Sequence, residues 1–279
     1  MKLKLLLGGP LSHLRYPAII TMLGISSGTM FAAATASDTA ANYSGGGWGA
    51  TPPNDGSGFG AWTVTINNAN NPPYVGTYLD NSSAVATGGY SWATYANGTG
   101  DNGSISISRA FASGLSGSSS LFNQAFSFDL SSGGVGNGSG GPPNSDLSVE
   151  IGNAFLFQYL GTGSDNFTLN GNATTIGFSA LSAGIHVSLA VNGVLNSPLE
   201  AYTFTVSPFA GGSPLYTASG TFDSSALNTS SFNYLDQNTS GNGYFNNLNI
   251  TTEVVPEPSS VALLGLSGLA TLIAIRRRN

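Results

Sequence analysis

Apolar and polar residues alternate with a period of two through most of this chain. In "AWTVTI" Trp62, Val64 and Ile66 fall on one face and Ala61, Thr63 and Thr65 on the other. A half-buried strand has this pattern, because its successive side chains point to opposite sides. "SISIS" sets Ile105 and Ile107 against Ser104, Ser106 and Ser108; "AFSFDL" aligns Phe126, Phe128 and Leu130. "GIHVSLAV" aligns Ile185, Val187, Leu189 and Val191, and "YTFTV" aligns Tyr202, Phe204 and Val206. Outside the two ends no comparable run has the helical period. Asn-Gly pairs, the favoured residues of tight hairpin turns, stand among other places at 97–98, 102–103, 137–138, 170–171 and 192–193. About a dozen short strands with this punctuation predict an all-β body over 59–253, a β-sandwich of the jelly-roll kind. "SSGGVGNGSGGPPNS" (Ser131 to Ser145) reads as a long loop within it. The Gly/Pro-rich segment 37–58 reads as a linker or an edge strand.

The pattern breaks at both ends. Residues 1–36 have the order of an export signal: Lys2, Lys4 and Arg15, then an apolar run from Tyr16 to Phe31, then small residues. Ala34 and Ala36 give an A-x-A match that predicts cleavage before Ser37 by a signal peptidase, so a signal helix is expected over 1–36. Residues 254–279 hold Pro256, Glu257 and Pro258, then an uncharged span from Val261 to Ile275, then Arg276, Arg277 and Arg278. With Ser259 and Ser260 the uncharged run reaches roughly 25 Å as a helix, at ~1.5 Å per residue, the lower edge of what crosses a bilayer. The prolines start that helix, and the arginines hold its end in the cytoplasm. A single transmembrane helix is therefore expected, with the body outside.

This tail resembles the PEP-CTERM sorting signal of exported bacterial proteins, on the three parts in order: Pro256-Glu257-Pro258, the apolar span, and the arginine cluster. The resemblance implies a temporary anchor in the inner membrane of a Gram-negative, exopolysaccharide-producing bacterium. It also implies recognition and cleavage near the Pro-Glu-Pro by an exosortase, and release to the cell surface or extracellular matrix. The stretch from "RAF" (Arg109 to Phe111) through "FSFDL" (Phe126 to Leu130) to "YFNNLNIT" (Tyr244 to Thr251) is similar to concanavalin-like jelly-roll modules, which range from sugar-binding to structural.

Charge narrows the partners. Only 7% of the residues are charged, and six of the seven basic ones lie in the terminal segments. From Ser37 to Val255 twelve carboxylates face the single cation Arg109. Such a body cannot neutralise a row of phosphates, which excludes nucleic acid as a partner. Cysteine is absent, and with it disulfides, thiol catalysis and thiolate metal sites.

The side chains that could carry chemistry are few. Once the leader is removed His186 is the only histidine, set beside Ser188 on a polar strand face, which suits a solvated residue better than a catalytic base. Asp146 and Glu150 in "DLSVE" share a strand face, but the E-x-D-x-x-E strand of concanavalin-like glucanases is missing, so no catalytic residue is assigned. The oxygen-rich loops "NGTGDNGS" and "GTGSDN" make Asp101 and Asp165 candidate calcium ligands, without EF-hand spacing; turn chemistry accounts for them equally. Trp48 and Trp92 are the candidate sugar contacts, with Tyr90 and Tyr95 beside them, whereas Trp62 is in phase with core residues. Arg109 shares parity with Ile105, Ile107 and Phe111 and is expected to point inward to a carboxylate. The leading functional expectation is an exported structural or adhesive protein rather than an enzyme. A carbohydrate-binding module on the same route is the alternative, and a secreted glycoside hydrolase ranks below both.

Overall fold

A computed structural model of the chain describes residues 34–45, 48–67, 75–96, 103–112, 121–133, 146–161, 166–193, 197–237 and 241–252. In these residues the chain forms β1 (Ala34–Asp38), β2 (Phe59–Asn67), β3 (Val75–Asp80), β4 (Ser91–Ala96), β5 (Ser104–Phe111), β6 (Gln124–Ser132), β7 (Asp146–Ile151) and β8 (Phe155–Leu160). It continues with β9 (Asn166–Leu169), β10 (Asn172–Gly177), a short helix α1 (Phe178–Ser182), β11 (Ile185–Gly193), β12 (Leu199–Pro208), β13 (Tyr216–Asp223), β14 (Ser231–Gln237) and β15 (Asn242–Thr252). All strand pairs are antiparallel, in two sheets. Sheet A runs β13-β12-β11-β6-β15-β4-β3, with β1 also paired to β15, and sheet B runs β10-β9-β8-β7-β14-β5-β2. The chain passes repeatedly between the sheets, so that neighbours such as β6 and β15, or β5 and β14, are far apart in sequence. This is the all-β sandwich that the alternation predicts.

Each of the five alternating segments forms a strand, and its apolar face lines the space between the sheets. Phe126, Phe128 and Leu130 of β6 and Ile185, Val187, Leu189 and Val191 of β11 are buried there, against Ile105 and Ile107 of β5 and Phe232 of β14. On β2, at the edge of sheet B, Phe59 and Trp62 are buried, but Val64 is half-buried and Ile66 is 37% exposed. Asn170 and Gly171 form the expected tight turn, both with positive φ, and place Leu169 opposite Asn172. Asn192-Gly193, expected as another turn, instead lies within β11 opposite Ala201 and Glu200. The ring of Phe122 occupies the space a Cβ at Gly193 would need, so packing explains this glycine.

Ala34 and Ala36, expected at the end of the leader, and Ser37, expected just after it, lie in β1. The neighbouring segment 37–58 does more than link: Asp38 and Tyr43 are buried, and Trp48 packs against the core. Up to residue 33 the expected signal helix lies outside the described residues, as does the expected transmembrane helix. Among the described residues no helix is long and apolar enough to cross a membrane.

Strand β15 is the seam of sheet A. Its first half pairs with β4 and its second half with β1, and the register shifts between Asn246 and Asn249. The side chain of Asn246 fills the gap where the neighbour changes. Its Oδ1 accepts from Ala40 N at 2.9 Å and Thr39 Oγ1 at 3.2 Å, and its Nδ2 donates to Val85 O at 2.8 Å and Tyr90 O at 2.7 Å. One amide thereby satisfies backbone groups of two connecting segments that enter no ladder at this point.

Two polar links cross the core. Arg109, on sheet B, is 0% exposed and forms an ion pair with Asp38 of β1, on sheet A. The guanidinium also donates to Gly60 O at 3.0 Å and to Asn54 Oδ1, and stacks 4.4 Å from the Trp62 ring centre. Asp38 further accepts from Tyr43 OH at 2.7 Å and Asn42 Nδ2 at 2.9 Å, while Trp62 Nε1 donates to Tyr43 OH at 2.8 Å. Burial, followed by the bond to Asp38, pushes the Tyr43 hydroxyl up to about 12. In the second link Thr94 of β4 donates to the buried carboxylate of Asp236 at 2.6 Å and lies 2.8 Å from Tyr234 OH.

Breaking the ion pair from either side leaves a buried charge without its partner. Arg109→Met or Asp38→Asn is expected to cost about 3–5 kcal/mol, whereas Arg109→Met combined with Asp38→Leu loses less than the sum of the single changes. Urea unfolding of the variants measures both; an unchanged midpoint for Arg109→Met contradicts a structural role.

Candidate functional site

The outer face of sheet B holds a shallow cleft of about 330 Å³. Strand parity builds it. Because Leu147, Val149 and Ile151 of β7 are committed to the core, Asp146, Ser148 and Glu150 must point the other way, as expected from "DLSVE". Gln158 and Leu156 of β8 flank them on one side, and Asn233 and Leu235 of β14 on the other, with Ser106 of β5 beyond. The register sets Ser148 between Gln158 and Leu235, and Glu150 between Leu156 and Asn233. The result is a floor of two leucines bordered by carboxylates, amides and hydroxyls, a surface suited to a neutral, hydroxyl-rich ligand.

Asp146 is the unusual member. Its Oδ2 accepts from Gln158 Nε2 at 2.8 Å, while Oδ1 is buried without a hydrogen-bond partner. Burial pushes its carboxyl above the ordinary 3.8, against the pull of the Gln158 amide and the Ser148 hydroxyl. Glu150 lies four residues along the same strand, its Cα about 13 Å away at ~3.3 Å per residue, and lines the same cleft.

The other candidates are scattered. His186 lies on the outer face of sheet A, with its side chain 43% exposed and Nδ1 2.7 Å from Asp129 Oδ1. Asn247 Nδ2 donates to the other oxygen of Asp129 at 2.6 Å. Asp129 and Asn247 were not singled out from the sequence; the alternation that assigns Phe128 and Leu130 to the core also turns Asp129 outward beside His186. Arg109 points inward as expected. Trp92 does not meet the expectation of a free ring: it is fully buried, 5.6 Å from Tyr43 and 5.2 Å from Trp62 by ring centres, because β4 is covered on both faces. Trp48 is half-buried in the same cluster, 5.2 Å from Trp62. Tyr90 packs partly buried against the core. Tyr95 joins Tyr78, 6.1 Å away, in a half-buried patch where Asn242 Nδ2 donates to Tyr78 OH at 2.7 Å and to Tyr244 OH at 3.2 Å. Asp101, Asp165, Pro256, Glu257, Pro258, Arg276, Arg277 and Arg278 lie outside the described residues. Among the described residues no group of three or more histidine and carboxylate side chains could hold a metal ion.

With the body a sandwich that ends at Thr252, the tail beyond it can be compared with known sorting signals. Residues 254–278 carry the PEP-CTERM protein-sorting motif. The motif implies export and processing by an exosortase. A comparison with curated proteins finds no match. Among solved structures, the Ca²⁺-bound exoplasmic/lumenal domain of VIP36 is similar at 7% identity and a TM-score of 0.41, over 71% of this chain and 85% of that one. The lectin from Bauhinia forficata in complex with GalNAc is similar at 7% identity and a TM-score of 0.36, over 68% of this chain and 98% of that one. The binding domain of botulinum neurotoxin DC in complex with rat synaptotagmin II matches at 8% identity and a TM-score of 0.40, over 69% of this chain. The chain spans less than half of that neurotoxin structure, 44% of its length.

Asp146 gives the cleft a measurable signature. A carboxyl whose folded pKa is raised favours the folded state below its unfolded pKa, and that contribution is lost as pH rises through the folded value. Relative to the parent, Asp146→Asn is therefore expected to gain in Tm between about pH 4 and pH 7. A difference in Tm that does not change with pH would show that the carboxyl is not held up by burial.

Proposed function

We propose that this is an exported surface or extracellular-matrix protein with a structural or adhesive β-sandwich body. A signal peptidase removes its leader, and its tail holds it for a time in the inner membrane, where an exosortase cuts near Pro256 to Pro258. The observation that carries this reading is the placement of the PEP-CTERM motif: it begins at residue 254, two residues after β15 ends at Thr252, so a cut there takes nothing from the folded body. The acidic, lysine-free surface suits a protein that stays soluble among neutral or acidic polysaccharide.

Intact mass measured on protein from its native host, separated into membrane and extracellular pools, tests the proposal. A C-terminus near Val255 to Pro258 in the extracellular pool is expected. Recovery of chains ending at Asn279 in the membrane pool alone would mean a permanent anchor.

A second reading, a carbohydrate-binding module on the same route, is favoured by the cleft on sheet B. Its mix of apolar floor and hydroxyl-directed carboxylates and amides fits a neutral glycan. Glycan-array binding by the purified protein, reduced at least tenfold by Glu150→Gln with Asp146→Asn, is the expected outcome. Binding that survives the double change would remove the cleft from consideration.

A further inference from the structure

We propose that the leader is cut between Ala34 and Thr35, so that the exported protein begins at Thr35; this rests on the export reading above. Strand β1 runs antiparallel to the second half of β15, with Ala36 opposite Ile250, Ser37 opposite Asn249 and Asp38 opposite Leu248. Ala36 is 1% exposed, and Thr35 Oγ1 donates to Ile250 O at 3.1 Å. From the other side Gly58, with φ +73°, lies so close that a Cβ there would collide with Ala36 and with the Thr35 carbonyl. Glycine at 58 thus fits a body that contains residues 35 and 36.

A cut after Ala36, where the A-x-A pattern of Ala34 and Ala36 points, works against this arrangement. It would empty a buried position, remove the Thr35 bond and strip Ile250 of its strand neighbour. It would also create an α-ammonium at Ser37, adjacent to Asp38, the carboxylate that compensates the buried Arg109. A cut two residues earlier has none of these consequences. Ala32 and Ala34 present the same pair of small residues to the peptidase, and Thr35 is exposed, so its new ammonium is hydrated. The register of β1 is irregular between Ala34 and Ala36 and regular from Ala36 onward, so the regular ladder stays whole. In the reaction water adds to the Ala34 carbonyl carbon and the bond to Thr35 nitrogen breaks, leaving a carboxylate on the leader and an amine on the body.

Expression of the full chain in an exporting Gram-negative host, followed by intact mass and N-terminal sequencing, tests the placement. A start at Thr35 is expected, with processing lost or shifted in Ala32→Leu and the Thr35 start kept in Ala36→Leu. A start at Ser37, or processing that fails in Ala36→Leu and persists in Ala32→Leu, overturns the placement and leaves export standing. A chain that still begins at Met1 overturns both.

Discussion

The ion pair between Arg109 and Asp38 is the constraint around which one end of the sandwich is built. Two charges removed from water are tolerated only when each finds its partner and its remaining hydrogen bonds. Here the guanidinium donates to Asp38, Asn54 and the Gly60 carbonyl, and the carboxylate also accepts from Tyr43 and Asn42. Because Arg109 belongs to sheet B and Asp38 to sheet A, the pair closes the core only when both sheets are in place. Strand β1 holds the counter-charge for an arginine some seventy positions later, so loss of that strand would leave the arginine without its carboxylate.

The same parity that fills the core sets the outer faces. Each strand committed to the interior at every second position must present the remainder to solvent, and in a chain with so few charges these are mostly Ser, Thr, Asn and Gln. Sheet B gathers two of its carboxylates, Asp146 and Glu150, around one cleft, and sheet A gathers His186, Asp129 and Asn247. A sandwich is a scaffold that hosts many functions, so activity has to be read from such groups rather than from the fold. What they offer is a polar surface held by the strands beneath it.

Sorting and body are nearly independent in this protein. The PEP-CTERM motif begins at residue 254, two residues after the last described strand ends at Thr252. At the other end β1 begins at Ala34, within a run of small residues, and its Ala36 and Asp38 are buried in the sandwich.

Local pattern was enough for the all-β class, for the inward faces of β5, β6 and β11, for the inward turn of Arg109, and for the shared face of Asp146 and Glu150. It was also enough for the sorting tail, whose parts are contiguous in sequence. A period of two is a property of the backbone and can be read wherever one face is buried. Pairing partners are not local, and there the sequence is silent. Strand β4 shows no alternation because both its faces are covered, which hid the burial of Trp92. Asn192-Gly193 has the composition of a turn, yet the ring of Phe122 and the ladder to β12 keep it in a strand. Asp38 reads as one of twelve equivalent carboxylates until β1 is laid against β15; it becomes the partner of Arg109 because that pairing brings it across the core.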